Sequence, residues 1–181
     1  LEYRGYDSAG ISVIGNDGIQ IVKQAGKVSA LAKAVDDSPV SGSVGIAHTR
    51  WATHGEPNDT NAHPHSDDDG TFSLVHNGII ENHASLRTYL QEQGVTFGTD
   101  TDTEVLVQLI AYLYKKDGIS FEQAVQSALR EVVGAYGIAV TCREEPDTII
   151  IARLGSPLVL GIGDDEYFIA SDASPIVEYT R

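Results

Sequence analysis

Between residues 82 and 132 the chain carries three helical patterns in succession, with strand patterns on both sides, and this grouping limits the fold more than any other feature. Leu86, Tyr89 and Leu90 form the first apolar stripe, with Asn82 expected as its N-cap and Gly94 as its stop. Val105, Leu106, Leu109, Ile110 and Leu113 form the second, after the polar Thr99-Asp100-Thr101-Asp102 segment. Ser120 and Gln123 make a capping-box pattern ahead of the third, whose inner face is Phe121, Val125, Ala128, Leu129 and Val132. Upstream, Ala9 to Ile14 and Ile19 to Lys23 flank Gly15-Asn16-Asp17-Gly18, which predicts a β-hairpin. Val28 to Val35 reads as a short helix, and Val44 to Ala47 and Phe72 to Val75 as strands. Four strand-like runs follow the helices: Tyr136 to Thr141, Thr148 to Arg153, Leu158 to Ile162 and Tyr167 to Ser171. Strands, grouped helices, then strands predict an α+β domain with helices packed on sheets, not a repeating βαβ chain.

The length of 181 residues suits one domain able to bury a full core. An apolar share of 41% and a charged share of 21% are ordinary for a globular protein, and no apolar run is long enough to span a membrane. Twenty-six acidic residues against twelve basic ones give a formal charge of -14, which repels phosphate backbones and argues against nucleic acid as a partner. The single cysteine, Cys142, cannot form an intrachain disulfide, and residues 1 to 20 lack a secretory pattern, so the cytoplasm is the expected compartment. Leu1-Glu2-Tyr3-Arg4, in a chain without methionine, reads as cut from a longer one.

Chemistry concentrates in the stretch from Arg50 to Gly70, which has no helical or strand period and reads as a long loop. All six histidines fall between residues 48 and 83. His63-Pro64-His65 beside Asp67, Asp68 and Asp69 could supply metal ligands, but no familiar spacing completes a site; the preferred reading is metal-free, with the acidic triplet a solvated loop tip. Arg50 offers a fork that matches a carboxylate, and Trp51 beside it could cover a small polar ligand; the plain alternative is a surface arginine and a core tryptophan. In His76-Asn77-Gly78, expected at a strand end, a side-chain amide and a glycine N–H form the donor pair that an oxyanion hole needs, although Asn-Gly is also an ordinary turn. Asp102 or Thr103 would commonly be an N-cap, yet an Asp for an ammonium and an Arg for a carboxylate together read an α-amino acid.

Several longer segments carry a family resemblance. Arg4-Gly5-Tyr6-Asp7-Ser8-Ala9-Gly10, His48-Thr49-Arg50-Trp51-Ala52-Thr53-His54-Gly55, Asn61-Ala62-His63-Pro64-His65, His76-Asn77-Gly78-Ile79-Ile80-Glu81-Asn82 and Thr101-Asp102-Thr103-Glu104 resemble, in this order, the glucosamine-6-phosphate synthase family (glutamine–fructose-6-phosphate aminotransferases). Gly134-Ala135-Tyr136-Gly137, Gly155-Ser156-Pro157-Leu158 and Ala170-Ser171-Asp172 extend the likeness. Other class II amidotransferases, such as amidophosphoribosyltransferase and asparagine synthetase, share the plan but usually differ around Arg50-Trp51-Ala52-Thr53-His54.

The resemblance implies an N-terminal-nucleophile hydrolase fold, an αββα sandwich of two antiparallel sheets between helical layers, over residues 1–181 as a glutaminase domain truncated at both ends. It implies hydrolysis of L-glutamine to glutamate and ammonia, without a cofactor or metal, by a cysteine at the mature N-terminus whose α-amino group is the base. The ammonia would pass to an isomerase domain of the same polypeptide, in a homo-oligomer, for transfer to fructose 6-phosphate. Arg50 would hold the substrate carboxylate, Asp102 its ammonium, and Asn77 with the Gly78 N–H the oxyanion; Trp51, Thr53 and His54 would line the pocket and Arg4 would support the nucleophile. Position 1 is leucine, so this chain by itself is expected to be inactive; the other reading is a non-catalytic glutamine-binding module.

Overall fold

The computed structural model describes residues 6–51 and 56–180. Strand β1 (Ser8–Gly15) and strand β2 (Gly18–Ala25) form the expected hairpin, with Gly15 opposite Gly18 across the two-residue Asn16-Asp17 turn. Helix α1 (Val28–Asp37) packs on these two strands, and β3 (Val44–Arg50) pairs with the other edge of β1 in a three-stranded sheet of order β2-β1-β3. A second antiparallel sheet has the order β4-β5-β6-β7, built from β4 (His65–Ser66), β5 (Phe72–Ile80), β6 (Gly134–Cys142) and β7 (Glu145–Leu154). Strands β8 (Val159–Ile162) and β9 (Tyr167–Ala170) form a separate hairpin.

Helices α2 (His83–Glu92), α3 (Asp102–Asp117) and α4 (Phe121–Glu131) cover the outer face of the second sheet, while β3 packs across the inner face of β5, β6 and β7. The layers therefore run helix, sheet, sheet, helix, as expected. Alternation along each strand assigns the faces. Phe72 and Leu74 of β5 and Ile138 and Val140 of β6 point toward the helices and enclose Leu106, Leu109, Ile110, Phe121 and Val125 in one core. Burying a side chain of this size stabilises the fold by about 1.5–3 kcal/mol each. Helix α3 is buried from Asp102 through Ala111, polar residues included, because the sheet, α2 and α4 enclose its first half.

Four local expectations are corrected. Asn82 does not cap α2 with its side chain; its amide instead donates to the Glu131 carbonyl at 2.7 Å and accepts the Val133 N–H at 2.9 Å, a two-sided bridge that uses both ends of the group. The N-cap of α3 is Thr101, whose Oγ1 accepts the Glu104 N–H, so Asp102 and Thr103 lie inside the first turn. The His76-Asn77-Gly78 segment is not a strand end or a turn: β5 continues to Ile80, with Asn77 opposite Gly137 and Gly78 opposite Tyr136.

The acidic triplet is not a free loop tip. Asp67 is buried and accepts the Phe72 N–H, Asp68 accepts from Gln108 and Thr96, and Asp69 pairs with Lys115. Within the long segment after Arg50, Asn61, Ala62, His63 and His65 are all buried, because this stretch threads between the two sheets and α3.

Candidate active site

A cavity of about 710 Å³ opens between β3 of one sheet and β5 and β6 of the other, closed at one end by the start of α3 and at another by β9. Arg50, Trp51, Asn77, Gly78 and Asp102 all line it, so the fold brings together five residues that sequence reasoning singled out from three separate segments. Arg4, Thr53 and His54 lie outside the described residues.

Arg50 is the last residue of β3 and is buried, against the surface-arginine alternative. Its guanidinium lies 3.8 Å from the Asp7 carboxylate, and its carbonyl accepts the Asp7 N–H at 2.8 Å. Trp51, one residue further, is 71% exposed and so is not a core tryptophan; it stands at the cavity rim. Asp102 is buried at the first turn of α3, where one carboxylate oxygen accepts the Ile80 N–H at 2.8 Å and the other, among the described residues, receives only a long, 3.4 Å contact from Thr103 Oγ1. A carboxylate at a helix start is favoured by the partial positive charge of the exposed N–H groups there.

Asn77 and His76 are neighbours in a strand and therefore face opposite sides of the sheet. His76 points toward α3, with Nδ1 3.1 Å from Thr103 Oγ1 and 3.9 Å from the Asp102 carboxylate. Asn77 points between the sheets, where its Oδ1 lies 2.7 Å from His48 Nε2, while its carbonyl accepts Ser156 Oγ at 3.1 Å. Gly78 has φ of 136°, and a Cβ there would lie 2.0 Å from the Ala135 carbonyl oxygen, so only glycine fits.

Three histidines that sequence reasoning left without a role form a ring cluster behind this wall. The rings of His48 and His63 are 4.4 Å apart, and those of His63 and His65 are 4.9 Å apart. His65 Nε2 lies 3.2 Å from Thr101 Oγ1, which links the cluster to the N-cap of α3. Loss of hydration is the main reason that the His48 imidazolium is disfavoured, with its pKa lowered to about 4, and the same cause lowers His65 to about 3. Burial first, then the neighbouring His48 and His65, pushes His63 well below the usual range, and burial lowers His76 despite Asp102. These four rings are neutral near pH 7. One sequence signal could have found His48: it stands two residues before Arg50 in a strand, which places both on one face.

Among the described residues no group of three or more His, Cys, Asp or Glu converges to hold a metal ion. Cys142 is fully buried in the helix-side core at the far end of β6 from Gly137, and burial pushes its thiol pKa up, so it presents no thiolate to the cavity.

Residues 34–181 match the family described as glutamine amidotransferase domain. The chain is 57% identical to the glutamine–fructose-6-phosphate aminotransferase [isomerizing] of Bacteroides thetaiotaomicron over 181 residues, 99% of this chain and 30% of that protein. It is 54% identical over 185 residues to the protein of the same name from Chlorobaculum tepidum, again covering 30% of the relative. The chain thus spans less than a third of the length of these relatives. Among solved structures it is similar to the glutamine phosphoribosylpyrophosphate amidotransferase from B. subtilis, in complex with ADP and GMP. That match has a TM-score of 0.82 and 28% identity, over 99% of this chain and 39% of that one. A structure described as the allosteric regulatory enzyme of purine biosynthesis matches with a TM-score of 0.83 and 30% identity over the same shares.

Proposed function

Because the chain belongs to the glutamine amidotransferase domain family, we propose that it forms the glutamine-hydrolysing portion of a glutamine–fructose-6-phosphate aminotransferase. Its layered sheets and helices are the N-terminal-nucleophile fold of amidotransferases. The observation that carries the reading is the meeting, around one cavity, of a buried guanidinium, a buried carboxylate and an amide with an adjacent glycine N–H.

Arg50 binds the α-carboxylate of glutamine in the fork geometry that a guanidinium offers. The Asp102 oxygen not engaged by Ile80 accepts the α-ammonium. The carboxamide then lies against β5, where Asn77 Nδ2 and the Gly78 N–H meet the negative charge that develops on its oxygen during attack. Trp51, with Thr53 and His54, covers the substrate, and Arg4 supports the surroundings of the nucleophile. The attacking thiol comes from a cysteine at the mature N-terminus of the polypeptide, with its own α-amino group as base, rather than from Cys142. Thioester formation releases ammonia, and water then releases glutamate. Ammonia passes to a fused isomerase domain and is used on fructose 6-phosphate to give glucosamine 6-phosphate, in a homo-oligomer, without cofactor or metal. No helix among the described residues is long and apolar enough to cross a membrane, which is compatible with a cytoplasmic enzyme.

The test treats the complete polypeptide that carries this chain with an electrophilic glutamine analogue and maps the labelled residue by mass spectrometry. A label on an N-terminal cysteine, prevented by excess glutamine, supports the reading. A label on Cys142, or none at concentrations that block glutamate release, overturns it.

A further inference from the structure

We propose that His48 is a positioning residue that sets which end of the Asn77 amide faces the cavity, by donating its Nε2–H to Asn77 Oδ1. The inference rests on the reading of Asn77 as an oxyanion donor.

The two ends of a primary amide have nearly the same shape, so the chemistry of the partner decides which end points where. His48 Nε2 is 2.7 Å from Asn77 Oδ1, a short contact across the space between the two sheets. Among the described residues Asn77 Nδ2 makes no hydrogen bond, and Asn77 is exposed to the cavity. Its two N–H groups are thus available to a ligand. If Nε2 carried no proton, the favourable arrangement would reverse: Nδ2 would donate to the imidazole, and Oδ1 would face the substrate. A carbonyl oxygen there repels an oxyanion instead of stabilising it. The position of one proton on His48 therefore decides whether Asn77 helps or hinders the reaction.

The surroundings of His48 favour that proton on Nε2. A neutral imidazole has one N–H and one bare lone pair. Among the described residues His48 Nδ1 is buried without a hydrogen-bond partner, so a proton placed there would be an orphaned donor, the costlier of the two defects. On Nε2 the proton meets the Asn77 oxygen. The ring is kept neutral by loss of hydration, and the His63 ring packs against it at 4.4 Å, tilted by 35°. Ser156, which donates to the Asn77 carbonyl, fixes the backbone of the same residue, so His48 controls the remaining freedom of the side chain.

The test measures glutamine hydrolysis by the complete polypeptide, with its native upstream segment, for Asn77→Ala, His48→Gln, His48→Met and the double variant His48→Met with Asn77→Ala. Glutamine places an N–H close to the position of Nε2, whereas methionine fills similar space with no donor. The expected result is a kcat at least about 10-fold lower in His48→Met with KM changed less than about twofold, and near-parental kcat in His48→Gln. In the Asn77→Ala background, His48→Met should cost less than about twofold more, because the group it orients is gone. Equal kcat in His48→Gln and His48→Met, with Asn77→Ala impaired, overturns the positioning role while leaving the oxyanion reading intact. Parental kcat in Asn77→Ala overturns the oxyanion reading itself. A full additional loss from His48→Met in the Asn77→Ala background also overturns the inference, since His48 would then act through packing. Thermal melting of each variant separates a kcat loss in folded protein from unfolding.

Discussion

The Asp102 carboxylate accepts the backbone N–H of Ile80 at 2.8 Å, and so ties the first turn of α3 to the last residue of β5. This bond is buried, and it joins the carboxylate proposed for the substrate ammonium to the strand that carries Asn77 and Gly78. Asp102 therefore has two separable tasks. Asp102→Ala should cost about 1–3 kcal/mol of stability, because the Ile80 N–H loses its acceptor. Asp102→Asn keeps an acceptor and should lose less than about 1 kcal/mol, yet raise the KM for glutamine about 10-fold or more through loss of charge. Urea titrations beside steady-state kinetics check this; equal KM in Asp102→Asn and parent would remove Asp102 from ammonium binding.

Arg50→Ala in the complete polypeptide should weaken glutamine use mainly through KM, because a carboxylate contact present in both ground and transition states lowers KM without raising kcat. Arg50→Lys should not restore it, since a point-like ammonium cannot reproduce the two-pronged contact. Initial-rate measurements over a wide glutamine range decide the matter, and a variant with parental KM would end this assignment.

Asn77→Ala should lower kcat by about 10²–10³-fold, because its amide acts on charge that appears only during attack. Pre-steady-state glutamate release provides the check. With free ammonia as donor, sugar amination should tolerate this change and that at Arg50.

Gly78→Ala should destabilise the domain by about 3 kcal/mol, since a Cβ would lie 2.0 Å from the Ala135 oxygen and φ is 136°. Hydrogen exchange should show the loss concentrated in the β5–β6 ladder. Parental exchange there, with normal stability, would contradict the geometry described here.

Stability should fall on acidification below pH 6.5. His48, His63 and His65 have lowered pKa values in the fold, about 4 for His48 and about 3 for His65, so they stay neutral there while the unfolded chain takes up protons near pH 6.5. The stability they allow is complete above pH 6.5 and is lost as pH falls toward their folded values. Each ring that gains a proton only on unfolding adds a slope approaching about 1.4 kcal/mol per pH unit. Urea midpoints between pH 7.5 and 4.5 should show this fall, and His63→Phe should make it shallower; an identical slope in that variant would refute the assignment.

Local signals determined a large part of this protein. The hairpin follows from Gly15-Asn16-Asp17-Gly18, whose two central residues make the turn, and the start of α4 follows from the Ser120 and Gln123 pair, which forms both halves of its capping box. Three grouped helical stripes between strands were sufficient for the α+β class, since each apolar face needs a partner layer. Arg50, Trp51, Asn77, Gly78 and Asp102 were all recognisable from residue chemistry and the motifs around them, and one cavity gathers them.

What remained hidden depends on pairing between distant segments. Whether His76-Asn77-Gly78 ends a strand or lies within one is decided by β6, which continues to pair as far as Ile80 opposite Gly134. Asp67, Asp68 and Asp69 look solvated in isolation, but α3 supplies Gln108 and Lys115 to two of them, and burial then commits the third to the Phe72 N–H. The histidine cluster was least legible, because His48, His63 and His65 come from a strand and the segment after it, and nothing local says that their rings will meet. The sequence by itself determined which groups are available and which short elements form, since turns, caps and stripes act over a few residues. Only the tertiary structure decided which face each group occupies and which are stripped of water, because sheet register and layer packing join residues that the chain keeps far apart.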